Sequence, residues 1–177
     1  MQSMMRIRRH LTLSTLLLEA LFAGCAVRAP VSLLEISSKM TLDEAQSRLQ
    51  QSTKPIERTI TYIQISDILL RHVRTSVPLK DTDALSEWMD QYREAITAAQ
   101  QTLIASGRDA QSYPQGFMEL EMVLRQHIRW LGDWKGGLID EERRPIDETI
   151  DTAVAIRQQM LDLLFPVEVR AENREAR

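Results

Sequence analysis

The sequence predicts an all-α protein, an antiparallel bundle of four main helices preceded by a short N-terminal helix. Apolar residues recur at helical spacing over long segments, and the prolines lie at the proposed helix boundaries or in the segment before the first helix. Six glycines in 177 residues are too few for a turn-dense β-sandwich. The short connections between long helices favour antiparallel neighbours.

A short first helix is predicted just after residue 40. Thr41 and Glu44 have the spacing of a capping box, in which two side chains satisfy backbone N–H groups at the helix start. This helix is expected to end near Gln51. The preceding segment, residues 26–39, contains three apolar side chains that we expect to dock on the folded domain: Leu33, Leu34 and Ile36.

The second segment, residues 55–76, admits two interpretations. Residues 59–65 are rich in β-branched side chains, as a strand would be. We favour a helix, because the apolar pattern runs on through Val73, which is too long for a typical strand. Pro55 suits the first turn of this helix, and Pro78 is expected to end it.

The third helix has the clearest pattern. Asp81 or Asp83 is expected to cap its start, and Gly107 its end. Between them the apolar residues form one continuous stripe at helical spacing: Leu85, Trp88, Met89, Tyr92, Ile96, Ala99 and Leu103.

Two more helices follow. Ser112 and Gln115 form a second capping pattern with Pro114 in the first turn, and the glycines at 132, 136 and 137 are expected to end this fourth helix. The last helix is expected to start near Pro145, because a proline deeper inside a helix loses a hydrogen bond and clashes with the preceding turn. Pro166 should stop it.

The first 25 residues have the pattern of a secretory signal. Three arginines lie within residues 6–9, an apolar run follows at 11–23, and Gly24 and Cys25 come next. The run LFAGC at 21–25 resembles the lipobox of bacterial lipoprotein signal peptides. This resemblance implies that residues 1–24 are removed and that Cys25 carries the lipid. Ala26, where an aspartate would resemble an inner-membrane retention signal, indicates the periplasmic face of the outer membrane.

This interpretation divides the chain into a signal peptide (1–24), a lipidated tether (25–39), a helical bundle (40–165) and a polar tail (166–177). Without residues 1–24 the chain keeps 19 basic and 24 acidic residues, a net charge of −5. A general nucleic-acid binder needs a basic face, so that class is excluded. We expect a membrane contact through the lipid on Cys25, and an unidentified envelope protein as partner.

Motifs for catalysis or cofactors are missing from the sequence. The single cysteine excludes a disulfide framework and a multi-cysteine zinc site. The sequence contains no phosphate-binding loop or nucleophile elbow. It also lacks the Glu-x-x-His pairs of di-iron bundles. We therefore predict a protein that is not an enzyme and has no cofactor or metal.

Two histidines remain after the signal segment, His72 and His127. His127 lies on the apolar stripe of the fourth helix. It is either a hydrogen-bonded core histidine, which we favour, or an axial haem or metal ligand. A simple hairpin alignment separates the two histidines by about 12 Å along the bundle axis. A shared metal ion is therefore not expected.

Three tryptophans, Trp88, Trp130 and Trp134, are candidate contact residues. The same alignment places them at one end of the bundle beside a glycine-rich loop. There they form either a partner-binding or sugar-stacking patch or an aromatic plug that closes the bundle. We expect Trp134 to be the most exposed of the three.

These observations lead to one functional expectation and one alternative. We expect a lipid-anchored cell-envelope protein with a structural or protein-interaction role. The alternative is a carrier of haem or another small apolar ligand, held in a pocket between helices. A deep cavity that touches His127 would favour the carrier, whereas a filled core with an exposed apolar patch would favour the interaction role.

Overall fold

Five α-helices and one 3₁₀ turn make up the regular structure of residues 40–79 and 81–166, the part of the chain that the computed structural model describes. These residues contain no strand, which confirms the predicted all-α class with one short helix and four longer ones. The elements are α1 Leu42–Gln51, α2 Pro55–Ser76, the 3₁₀ turn Val77–Leu79, α3 Thr82–Ala105, α4 Phe117–Lys135 and α5 Asp140–Leu164.

Helix ends agree with the sequence pattern in the first half of the domain. The Thr41 N–H donates to the Glu44 carboxylate at 2.9 Å, and the Glu44 N–H donates to the Thr41 hydroxyl at 3.3 Å. This is the predicted capping box. Asp81 accepts from the Ala84 N–H at 3.1 Å and so caps α3. Gly107, with φ +64°, follows directly after the last turn of α3.

Helix α2 is the central element of the bundle. Every residue from Ile63 to Leu70 is buried, and α2 packs against α1, α3 and α4. A helix enclosed on all sides buries residues all round, here including the polar Gln64, Ser66 and Asp67, so it lacks the one-sided apolar stripe of a surface helix. This explains the β-branched run at residues 59–65, where the helical interpretation is confirmed.

The remaining helices pair in a different order from a simple chain of hairpins. Helix α3 packs mainly on α2 and α5, and α4 packs mainly on α5. Contacts between α3 and α4 are sparse although the two helices are consecutive. Glu121 of α4, nearly buried, accepts from the Arg157 guanidinium of α5 at 2.9 Å and joins that pair.

The predicted start of α4 was wrong. The helix begins at Phe117 with Gly116 as its N-cap, and the Glu119 carboxylate accepts from the Gly116 N–H. Gly116 has φ +88°, a backbone conformation that favours glycine. Ser112 lies in the preceding loop, where its hydroxyl donates to Asp109 at 2.5 Å.

The predicted boundaries of α4 and α5 near the glycines also need correction. Gly132 lies inside α4, which continues to Lys135. Helix α5 begins at Asp140, so Pro145 lies inside it. The Glu142 carboxylate accepts from the Ile139 N–H at 3.2 Å. Three acids occupy the first turn, where the helix dipole favours negative charge. These contributions offset the backbone hydrogen bond that Pro145 cannot make.

Two opposite ends of the bundle can be defined from contacts. At the end that we call the entry end, the Arg71 guanidinium donates to the Met40 carbonyl at 3.4 Å. The turn between α2 and α3 and the loop between α4 and α5, residues 136–139, lie at the same end. At the far end, Gly116 lies beside Leu103 and Ile56.

Candidate functional site

Three polar side chains from three helices meet in the core. His127 of α4 is 1% exposed, Tyr92 of α3 is fully buried and Asp67 of α2 is 7% exposed. His127 Nε2 lies 2.7 Å from Asp67 Oδ1, and His127 Nδ1 lies 3.1 Å from the Tyr92 hydroxyl oxygen. We call this group the buried triad. Each ring nitrogen of the imidazole therefore has a hydrogen-bond partner.

The triad sets the protonation state of Tyr92. Burial, and then the negative charge of Asp67, raise the pKa of Tyr92 well above its ordinary value of 10.0. The phenol is neutral at physiological pH already at its ordinary pKa, and the raised pKa keeps it protonated, and able to donate to Nδ1, further into the alkaline range. The Nε2–H then donates to the Asp67 carboxylate, which accounts for every short contact in the group.

The chemistry available to the triad follows from its burial. His127 and Tyr92 are almost completely buried and Asp67 is 7% exposed, so the group offers little surface for contact with a substrate. Their hydrogen bonds instead tie α2, α3 and α4 together in one register, and a fully satisfied network of this kind specifies a unique core. The prediction that His127 is a hydrogen-bonded core residue is confirmed. A haem iron would have to displace one of its two bonds.

The second histidine has a different environment. His72 is exposed near the end of α2, and its ring stacks on Trp88 with a centroid separation of 4.7 Å. Within the described ranges, no three His, Cys, Asp or Glu residues are grouped so that they could hold a metal ion.

The predicted contact residues fall into two aromatic stacks. Trp88 stacks on His72, whereas Trp130 stacks on both His127, at 5.4 Å, and Trp134, at 6.4 Å. The Tyr92–His127 hydrogen bond connects the helices that carry the two stacks. All three tryptophans are partly buried and pack against the core.

The loop after Trp134 adds an exposed apolar side chain at the entry end. Ile139 is 61% exposed, while its neighbour Leu138 is buried. We call the set Trp88, Trp130, Trp134, His72 and Ile139 the tryptophan end. It combines three partly buried tryptophan rings and the exposed His72 ring with one large, exposed apolar side chain, Ile139.

Two surface cavities lie elsewhere on the bundle. A groove of about 330 Å³ between α1, α2 and α3 is lined mostly by apolar residues, including Leu42, Leu49 and Leu69. A cleft of about 610 Å³ between α3 and α5 is lined by polar residues, including Asp90 and Arg93. Neither is lined by His127 or by a tryptophan.

Sequence reasoning missed two members of the triad. Tyr92 was assigned to the apolar stripe of α3, with no role for its hydroxyl. Asp67 could have been recognised from the sequence, because it is an acid within the apolar run of a helix that is expected to be buried. A buried carboxylate requires a hydrogen-bonding or charged partner. Pairing it with His127, 60 residues later, requires the arrangement of α2 beside α4.

The proposed lipidation residue, Cys25, lies outside the described residues, together with the signal segment and the tail after residue 166. No helix in the described ranges is both long and apolar enough to cross a membrane. The chain matches no family model, and no curated protein or solved structure matches it.

Proposed function

We propose that this chain is a lipid-anchored protein of the bacterial cell envelope whose helical domain has a non-catalytic, interaction-based role. The observation that carries the proposal is the position of the only cysteine. Cys25 follows Ala-Gly at the end of an apolar segment that begins after three arginines. Acyl chains on this residue would hold the domain at the periplasmic face of the outer membrane.

The core of the domain supports a non-catalytic role. The histidine, carboxylate and phenol that three helices bring together are buried and satisfy one another. A general base must reach the proton that it abstracts, and His127 has no opening to solvent. The polar residues of the triad therefore act in the structure of the bundle.

The contact surface that we propose is the tryptophan end. Tryptophan side chains are frequent anchors at protein contacts because they bury a large area with few rotatable bonds. Trp134 precedes the loop that exposes Ile139, and the ring of Trp134 rests on Trp130. An envelope partner would contact the exposed Ile139 side chain and the accessible edges of the partly buried tryptophan rings there.

One observation favours a second candidate, a carrier of a small apolar ligand. The groove between α1, α2 and α3 has the volume and the mainly apolar lining of a ligand site. It lies apart from His127, so this carrier would not bind haem through that residue. Saturable binding of an apolar fluorescent probe that Leu49→Glu weakens, while the circular dichroism spectrum stays that of the folded domain, would support it.

The lipid anchor is tested by replacing its acceptor. Cys25→Ser should abolish incorporation of labelled palmitate in bacterial cells, and the protein should leave the membrane fraction. A matched control is the double variant Cys25→Ser/Ser32→Cys, which restores a thiol outside the lipobox-like run and should stay unlabelled. Unchanged incorporation in Cys25→Ser would contradict the proposal.

A further inference from the structure

We propose that the groove between α1, α2 and α3 is filled by the chain itself, with the side chains of Leu34 and Ile36 as its occupants. These two residues precede α1 and lie outside the described residues. The inference goes beyond the lipid anchor and does not depend on it. It competes with the small-ligand candidate for the same groove.

The groove arises because α1 packs on α2 and leaves a gap beside α3. Ile65 and Leu69 of α2, both buried, form its floor, and Leu42 and Leu49 of α1 form one wall. Small side chains of α3 line the opposite wall: Ala95 and Ala98. Leu42 and Leu49 are only partly buried, so an apolar occupant would remove more of their surface from water.

The chain enters the domain beside this groove. The Met40 carbonyl accepts from the Arg71 guanidinium at 3.4 Å, and Arg71 follows the groove residue Leu69 by two positions on α2. The Met40 side chain packs against the core. Thr41 has an extended backbone, with φ −86° and ψ 164°, and Leu42 of the groove follows directly. The contacts of Met40 therefore hold the incoming chain at one end of the groove.

The short stretch of chain before Met40 restricts where the two side chains can lie. Ile36 precedes Met40 by four residues and Leu34 by six, which limits their Cα atoms to about 14 Å and about 21 Å from it. The groove follows α1 from Leu42 to Leu49, about 10 Å at 1.5 Å per residue. Both side chains can therefore reach it. The far end of the bundle is out of reach, because the 22 residues of α2 span about 33 Å.

The sequence of the segment fits a surface that is apolar on one side. Glu35 separates Leu34 from Ile36, and alternation of apolar and polar residues is typical of a half-buried extended segment. Residues two apart in such a segment face the same side, about 7 Å from each other. Leu34 and Ile36 then point into the groove and Glu35 points to water.

The chemistry of the two surface cavities also distinguishes them as docking sites. The cleft between α3 and α5 is lined by polar residues, including Asp90 and Arg93, and would leave leucine and isoleucine side chains beside charges. The groove offers them leucine, isoleucine and alanine side chains. A docked segment closes the groove to small apolar ligands and shortens the tether after Cys25 from 15 residues to nine.

The test is a disulfide between the segment and the groove. It uses the full-length chain with Cys25→Ser, which removes the only natural thiol. The pair Ile36→Cys/Gln46→Cys adds one thiol to the segment and one to the groove wall, where Gln46 is exposed. Cysteines form a bridge when their Cα atoms lie about 4.4–6.8 Å apart. Mild oxidation should therefore join this pair within one chain, and peptide mass mapping identifies the bridge.

Two matched controls accompany this pair, and circular dichroism checks that each variant is folded. Ser47 is exposed and adjacent to Gln46 but does not line the groove, so Ile36→Cys/Ser47→Cys should stay reduced. Adding Leu34→Asp to the Gln46 pair should abolish the bridge, because it would place a charge among apolar side chains. Leu33→Asp, on the opposite side of an extended segment, should leave the bridge unchanged.

Three results would overturn the proposal. Equal oxidation of the Gln46 and Ser47 pairs would show that the segment is not docked, since both positions are then met equally often. A bridge that survives Leu34→Asp would show that docking does not depend on this side chain, and a bridge lost in Leu33→Asp would contradict the alternating arrangement. Because every variant lacks Cys25, the outcome is independent of the proposed lipid anchor.

Discussion

His127 Nε2 lies 2.7 Å from Asp67 Oδ1 in the core of the bundle, although the two residues are 60 positions apart in the sequence. The contact joins α2 to α4, two helices that are not consecutive. Because both side chains are buried, their mutual hydrogen bond is also what makes the burial of the Asp67 carboxylate tolerable. The stability of the domain should therefore be sensitive to this pair.

The first prediction removes one partner of the pair. His127→Leu should lower the free energy of unfolding by about 3–5 kcal/mol, because the Asp67 carboxylate stays buried without its imidazole. Urea denaturation followed by circular dichroism measures this. The double variant Asp67→Leu/His127→Leu should be more stable than His127→Leu alone, since the unpaired charge is gone. Additive losses from the two changes would contradict the coupling.

The second prediction concerns alkaline pH and Tyr92. Burial raises the pKa of Tyr92 above its ordinary value of 10.0, so the folded protein keeps the phenol proton while the unfolded chain loses it. The stabilisation is complete below pH 10 and declines as the pH rises above 10. Tyr92→Phe should remove this decline and cost about 1 kcal/mol at neutral pH through the lost hydrogen bond.

Unfolding curves between pH 7 and about pH 11 test this difference, because the pH range extends above the ordinary phenol pKa. Tyr62 and Tyr113, which are partly buried and exposed, serve as matched controls. When either is replaced by phenylalanine, the free energy of unfolding should still decline above pH 10 as it does in the wild type. If the free energy of unfolding declined equally with pH in Tyr92→Phe and in the wild type, the proposal of a buried, neutral Tyr92 would be contradicted.

The third prediction compares two glycines. An added Cβ at Gly116 would lie 2.7 Å from Leu103 Cδ2 and 2.9 Å from Ile56 Cδ1, on a backbone with φ +88°. Gly116→Ala should therefore destabilise the domain by about 1–3 kcal/mol. Gly132→Ala is the control, since its Cβ meets nothing within 4 Å. That change should stabilise α4 by about 0.5–1 kcal/mol.

Gly116 also shows where sequence reasoning about the helices stops. The Thr41 box and the Asp81 cap were predictable, because each depends on residues within one turn of the chain. The start of α4 depends on a positive φ at Gly116 and on its closeness to Leu103, which is a tertiary contact. Ser112 and Gln115 offered the same spacing as a real cap, and nothing local distinguishes the two.

The start of α5 illustrates a different limit. Pro145 suggested a boundary because the cost of an interior proline is local and known. Two stabilising contributions offset this cost. The Glu142 carboxylate accepts a hydrogen bond from the Ile139 N–H at the helix start, and Ile146 and Thr149 pack in the core. The sum of these contributions depends on the neighbouring helices and is therefore not visible in the segment itself.

The candidate site was predictable in part. The apolar spacing around His127 indicated a core histidine, and the structure supplies its partners. The tryptophans were placed at one end by a hairpin of α3 and α4. The hairpin alignment assumed that α3 and α4 pack closely on each other, whereas α3 packs mainly on α2 and α5. Trp88 accordingly stacks on His72 of α2.

The last prediction distinguishes a closing plug from a contact surface. Trp134 is partly buried, and its ring stacks on Trp130 of the same helix with a centroid separation of 6.4 Å. Trp134→Ala should therefore lower the free energy of unfolding by about 1–2 kcal/mol, the value of one aromatic pair together with the apolar area of a partly buried ring. A loss near 3 kcal/mol, typical of large core truncations, would instead identify Trp134 as a structural plug. Leu131→Ala, at a buried position one turn earlier, calibrates that larger loss in the same helix.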